Sequence, residues 1–406
     1  MINDYQNVTK RIVQYLIIFA SFSIVLPTAW MSITSGMILI FWIISSNYSE
    51  KFRRILNNPA ALSALILFGF YLIGVLYSSV AFEESRVFLM KYQKLLLIPI
   101  IVSVIDSNKV RNYALNAFLF GAGILLLISY LKWLSIIPMD LGLHDLPDNS
   151  QGYLAFKNRI AHNILMSFLM FVMFGKFYFE KSKLKWIWFF IAILALLNIM
   201  YLVGGRSGQI IALSFLIFLP LYFYGLKSVK YFLIFFTIIF LSGSLFEKLV
   251  PERLLGVNRE ISDHKSTENL TSAGIRMEMY RNTLLLIKKS PLIGYGTGAL
   301  RFEYKKLVDS QDTLLKDVPN PHNQYLLTFF ELGIFGLFIF MGMFIRQWFF
   351  SNNSKFINKQ NSFYAKGLIL TISIGSLFNS LLLDATEGKF YCILIGVLLS
   401  CNKKNE

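Results

Sequence analysis

Polar segments divide the chain into apolar runs long enough to cross a lipid bilayer, and nothing else in the sequence restricts the fold as much. Taking roughly 17 to 25 predominantly apolar residues as one transmembrane helix, the runs predict twelve spans. They fall near 12–27, 30–46, 59–78, 87–105, 111–136, 161–179, 186–203, 207–224, 229–246, 322–349, 363–383 and 387–400. The expected fold is an all-α polytopic membrane protein. Composition agrees: of 406 residues 55% are hydrophobic and only 15% charged, where a soluble domain carries about 25% charged residues. The net charge of +16 would suggest nucleic acid as a partner of a soluble chain. In a membrane protein Lys and Arg collect in cytoplasmic loops for topological reasons, so membrane lipids and no nucleic acid are expected. Cys392 and Cys401 lie near the C-terminus and suggest neither a disulfide framework nor a metal site. The first apolar run lacks a small-residue cleavage site and a second span follows directly, which argues against a cleavable signal peptide.

The loops alternate in charge. One set holds Lys10 and Arg11, then Lys51, Arg53 and Arg54, then Lys109 and Arg111, then Lys176, Lys181, Lys183 and Lys185, then Lys227 and Lys230, then Arg346, Lys355, Lys359 and Lys366, then Lys403 and Lys404. That set is assigned to the cytoplasm together with both termini. Membrane segments 1–246 and 322–406 then flank one long extracytoplasmic loop, 247–321, expected to contain short helices, with one starting near Ser272 and stopped by Pro291.

Arg86, Lys91, Lys94, Lys132, Arg159, Arg206, Arg276 and Arg281 fall on the opposite side from the positive loops. Cations placed against the topological rule and near apolar surroundings suggest an anionic ligand as a group, although each one alone is explained by snorkelling or by pairing with a carboxylate. Arg206 sits in VGGRSGQ between two spans. There Gly204 and Gly205 remove side-chain bulk so that backbone can approach a ligand, Ser207 is the expected cap, and the helix N-terminus favours phosphate. Arg276 and Tyr280 lie one turn apart and share a helix face, with Arg281 rotated away. GYGTG follows a helix and a proline and lacks the spacing of a dinucleotide loop, so it reads as a turn. In NPHNQYL, Asn320 is the expected cap, Pro321 the first helical residue, and His322 the first-turn imidazole kept neutral by the helix dipole. That makes His322 the candidate general base. His162 is a second candidate, while His144 and His264 read as solvated loop residues. Glu331 is an intramembrane carboxylate that either pairs with a cation or is structural, and Gly333 and Gly336 are expected to permit close helix packing. No Asp, Glu or His cluster suggests a metal.

GGRSGQ after a span, an arginine-bearing loop helix, SPLIGYGTG, HNQYL and ELGIFGLF entering a span together resemble the bacterial O-antigen ligase and polysaccharide polymerase family. The ordered combination carries the resemblance, and it covers the second half of the chain. The resemblance implies a glycosyltransferase that takes a glycan from undecaprenyl diphosphate on the periplasmic face of the inner membrane, without cofactor or metal. It also implies diphosphate binding by Arg206, Arg276 and Arg159, and a base at His322. The acceptor would be lipid A-core oligosaccharide for a ligase. A polymerase, or a protein O-oligosaccharyltransferase, would run the same chemistry on another acceptor. A transporter of lipid-linked oligosaccharide is the alternative of a different class, needing the cations and no base.

Overall fold

The computed structural model describes residues 2–142, 153–228, 230, 271–309, 318 and 320–400. His144, His264, Cys401, the span expected at 229–246 apart from residue 230, and residues 247–270, 310–317 and 319 of the long loop lie outside these residues. All regular structure among the described residues is helical. Two compact units are formed, one from Met1–Gly123 with Arg276–Glu406 and one from Ile124–Ile275.

In chain order the helices are α1 (Ile2–Ser23), α2 (Thr28–Ile44), α3 (Tyr48–Leu56), α4 (Pro59–Leu76), α5 (Phe82–Tyr92), α6 (Leu97–Val104), α7 (Asn108–Trp133), α8 (Arg159–Phe179), α9 (Lys185–Leu197), α10 (Arg206–Tyr224), α11 (Ser272–Lys289), α12 (Leu300–Val308), α13 (Gln324–Ser351), α14 (Lys359–Gly375) and α15 (Ala385–Leu398). Among the described residues seven helical stretches are long and apolar enough to cross a membrane, one of them running from α5 through α6 (Phe82–Val104), or eight if α2 and α3, bent by 119°, count as one span. The twelve expected spans are therefore matched in part. The run near 12–27 forms the later part of α1, whose first turns, before Ile12, are polar and which ends at Ser23. The run at 363–383 stops early, because α14 ends at Gly375 and residues 376–384 form turns. There Leu381 and Leu382 are fully buried against protein. The short helices expected in the long loop are α11 and α12.

In the first unit a backbone ribbon between α11 and α12 is threaded against three helices. The amides of Tyr295 and Gly296 donate to the carbonyls of Phe330 (2.9 Å) and Glu331 (2.8 Å) on α13, and that of Thr297 to Gly74 on α4 (3.0 Å). The hydroxyls of Ser78 and Ser85 donate to the Thr297 carbonyl at 3.0 and 2.7 Å. GYGTG is a turn, as expected, but a buried one whose peptide groups find partners in neighbouring helices, since an unmade buried bond is costly. Its glycines at 294, 296 and 298 all take positive φ, and a Cβ on Gly296 would stand 2.2 Å from Ser78 Cα. Gly333, expected to permit helix packing, instead breaks α13: its φ is +65°, and a Cβ there would stand 2.1 Å from the Leu292 carbonyl oxygen. A Cβ on Gly336 would meet Leu332 of the same helix, not a neighbouring one.

In the second unit α8 is the most buried span, and α9 and α10 pack against it. A π-turn, Asn198–Leu202, closes α9.

Candidate functional site

The turn that carries His322 is assembled differently from the sequence expectation. Helix α13 begins at Gln324, and its N-cap is Asn323, whose side chain accepts from Leu326 N at 3.0 Å. Asn320 instead closes a local turn by accepting the His322 amide at 2.9 Å, the Asx geometry that competes with helix capping. His322 thus lies just outside the helix, in the left-handed region with φ +50°. A non-glycine residue holds that conformation only where its surroundings impose it.

Two segments impose it. From α11, the Tyr280 hydroxyl is placed to donate to the carbonyls of His322 (3.2 Å) and Leu377 (3.1 Å). From the turns after α14, Leu377 O also accepts from Asn323 Nδ2 (3.0 Å), Ser376 O accepts from Gln324 N (2.8 Å), and Leu382 N donates to Gln324 Oε1 (3.0 Å). The imidazole is half-buried. Burial and then the Arg276 guanidinium, one turn before Tyr280, hold its pKa below the ordinary histidine value. Burial and a cation thus both favour the neutral form. A neutral imidazole beside a guanidinium can accept a proton while the cation offers charge to an anion. Arg276 is half-buried and Arg281 exposed, in keeping with the assignment of Arg276 to the shared face.

The other cations and the carboxylate of this unit separate by role. Glu331 is completely buried, and its oxygens accept from Gly298 N at 2.7 Å and Tyr92 Oη at 3.0 Å. It fastens the GYGTG ribbon to α13 and α5. Lys94, 6% exposed, donates to the carbonyls of Leu383 (3.2 Å) and Asp384 (2.5 Å). Lys91 is exposed, with Nζ 4.6 Å from the Phe88 ring centroid.

In the second unit Arg159 and Arg206 are the first residues of α8 and α10. Gly205, not Ser207, is the N-cap of α10. The glycines serve packing between the helices: a Cβ on Gly205 would stand 2.6 Å from Asn163 Nδ2 and 3.5 Å from Arg159 Cγ, and one on Gly208 would stand 2.4 Å from Asn163 Cβ. The two arginines therefore begin neighbouring helices at one junction. His162, in the first turn of α8, is fully buried, with Nε2 2.9 Å from Asn198 Oδ1, whose amide nitrogen donates to Ser129 Oγ at 2.7 Å. Lys132 is also buried and donates to the carbonyls of Met139 (2.8 Å), Leu141 (2.7 Å) and Leu154. Lys94 and Lys132 thus satisfy local carbonyls, so the anion argument does not extend to them. Sequence reasoning missed Asn323, Gln324 and the turns at 376–384. The signals for the turns are Gly375-Ser376 and Asn379-Ser380 within an apolar run.

Helices of spanning length and apolarity, together with the polar His322 turn, define an integral membrane protein with a chemically equipped site. Over residues 191–341 the chain matches the O-antigen ligase family. That segment contains Arg206, Arg276, Tyr280, Arg281, His322 and Glu331. A curated relative from Haemophilus influenzae, described as an uncharacterized protein, is 26% identical over 175 residues, which is 39% of this chain and 42% of the relative. The match therefore spans less than half of that relative's length.

Proposed function

We propose that the protein is an O-antigen ligase, moving a glycan from undecaprenyl diphosphate to lipid A-core oligosaccharide. The reaction would take place at the periplasmic face of the bacterial inner membrane, with both termini in the cytoplasm. The family match over 191–341 supports the glycan-handling class. The observation that carries the catalytic assignment is the half-buried His322, whose pKa burial and the Arg276 guanidinium lower.

In this reading a nitrogen of His322 takes the proton of an acceptor hydroxyl. The freed oxygen bonds to the anomeric carbon, and the bond from that carbon to the diphosphate oxygen breaks, with inversion. Arg276 carries the anionic charge of the donor, with Arg281 a secondary contact; Arg206 and Arg159 are further candidate diphosphate-binding residues. An extracytoplasmic enzyme has no nucleotide sugar to use, so the donor must arrive already activated on a lipid. Guanidinium groups stabilise a departing diphosphate without a metal.

His322→Ala is expected to abolish attachment of O-antigen to lipid A while the lipid-linked donor accumulates. Smooth lipopolysaccharide in that strain rejects the base. A deletion strain that keeps a single repeat on core identifies a polymerase instead, and function kept in His322→Ala but lost in Arg206→Ala with Arg276→Ala identifies a transporter.

A further inference from the structure

The junction of α8 and α10 contains a polar group that packing does not explain. Asn163 is 1% exposed, yet both atoms of its amide, Nδ2 and Oδ1, lack a hydrogen-bond partner. Buried amides are almost always paired, and leaving a donor and an acceptor unmade destabilises the fold. An apolar residue of the same shape would fill the space at no such cost. The amide lies against Gly205, the N-cap of α10, which supplies no side-chain acceptor. One turn back on its own helix is Arg159, and Arg206 follows Gly205 directly. Two helix N-termini, 21 and 19 residues long, meet there with their positive ends and two arginines.

A bare anion would use Nδ2 and be repelled by Oδ1. A glycosyl phosphate uses both, because its phosphate oxygens accept while a hydroxyl or amide N–H on the adjoining sugar donates. We propose that Asn163 is a ligand-binding residue for the sugar–phosphate junction of a glycosyl diphosphate, reached when the Gly204–Gly205 turn shifts. Gly204 has φ +52°, and a Cβ built there would meet nothing within 4 Å beyond its chain neighbours. The inference rests on the donor class proposed above, but its test does not use glycan transfer.

The purified chain in lipid nanodiscs is titrated with inorganic phosphate and with glucose 1-phosphate, and its melting temperature is measured. Wild type is expected to prefer glucose 1-phosphate by about tenfold, the scale of a hydrogen bond to a buried group. Asn163→Leu is expected to melt at or above the wild-type temperature and to lose the preference. Higher stability with the preference intact overturns the proposal, as does a wild type that binds both probes equally or neither. Asn163→Ala carries the same test if the leucine variant does not fold. Loss of transfer in His322→Ala alongside a failed titration would sink this inference and leave the ligase reading standing.

Discussion

The hydroxyl of Tyr280, on a helix 42 residues earlier in sequence, lies 3.2 Å from the backbone carbonyl oxygen of His322. It is also 3.1 Å from the carbonyl of Leu377, so one side chain ties α11, the His322 turn and the turns after α14 together. Tyr280→Phe keeps the ring and removes only this link. The expected cost is about 1 to 2 kcal/mol, the value of an intramolecular hydrogen bond and the carbonyl it leaves. Because the loss falls on the turn holding His322 at positive φ, turnover should drop about tenfold with little change in donor KM. Transfer assays on the purified variant check the split.

Acid should silence the enzyme only below the ordinary histidine range. Imidazole titrates near 6.5 in water, and both burial and Arg276 favour the neutral form of His322. A base works above its own pKa, so activity is kept until pH falls through the depressed value. Arg276→Gln removes the smaller of the two causes and should move the acid limb of kcat/KM upward, short of 6.5. The linked stability has the same sign: the unfolded chain takes up the proton first, so acidification through this window destabilises the fold. A pH profile in which Arg276→Gln moves the limb downward would refute the pairing.

Glycine substitutions should separate threading from simple turn geometry. Gly296→Ala places a Cβ 2.2 Å from a backbone atom of α4's trailing residue, Ser78, at φ +87°. It should cost more than about 3 kcal/mol, through strain and displaced backbone. Gly204→Ala meets no atom within 4 Å and carries only the left-handed penalty of about 1 kcal/mol. Thermal unfolding in detergent should rank the two clearly.

Glu331 should tolerate loss of charge but not loss of its oxygens. Glu331→Gln keeps an acceptor for Gly298 N or Tyr92 Oη and should retain most activity. Glu331→Leu leaves both donors buried and unmade, at about 1 to 3 kcal/mol each. A glutamine variant that is well folded and inactive would make Glu331 part of the chemistry instead.

Helical class, spanning lengths from Pro59 to Tyr224, the start of α11 at Ser272 and the shared face of Arg276 and Tyr280 were all legible, because each depends on local periodicity and capping. His322 stood out for a similar reason, being a polar residue beside Asn and Pro at the edge of an apolar run. Its cap was misjudged because two asparagines, 320 and 323, compete for one helix start, and Asn323 prevails when Gln324 N reaches Ser376 O. The roles of Lys94, Lys132 and His162 were not legible either. Their partners are mainly backbone carbonyls and an amide whose positions no side-chain pattern records.

The sequence by itself determined that this chain forms helices long and apolar enough to cross a membrane and that Arg276 and Tyr280 share one helix face, since hydropathy and spacing act over neighbouring residues. Only the tertiary structure decided that GYGTG is buried against α13, that Gly333 is a break in a helix, and that burial and Arg276 lower the pKa of His322. Those outcomes depend on contacts between residues tens to hundreds of positions apart, where a peptide group or an imidazole takes its environment from whatever the fold brings against it.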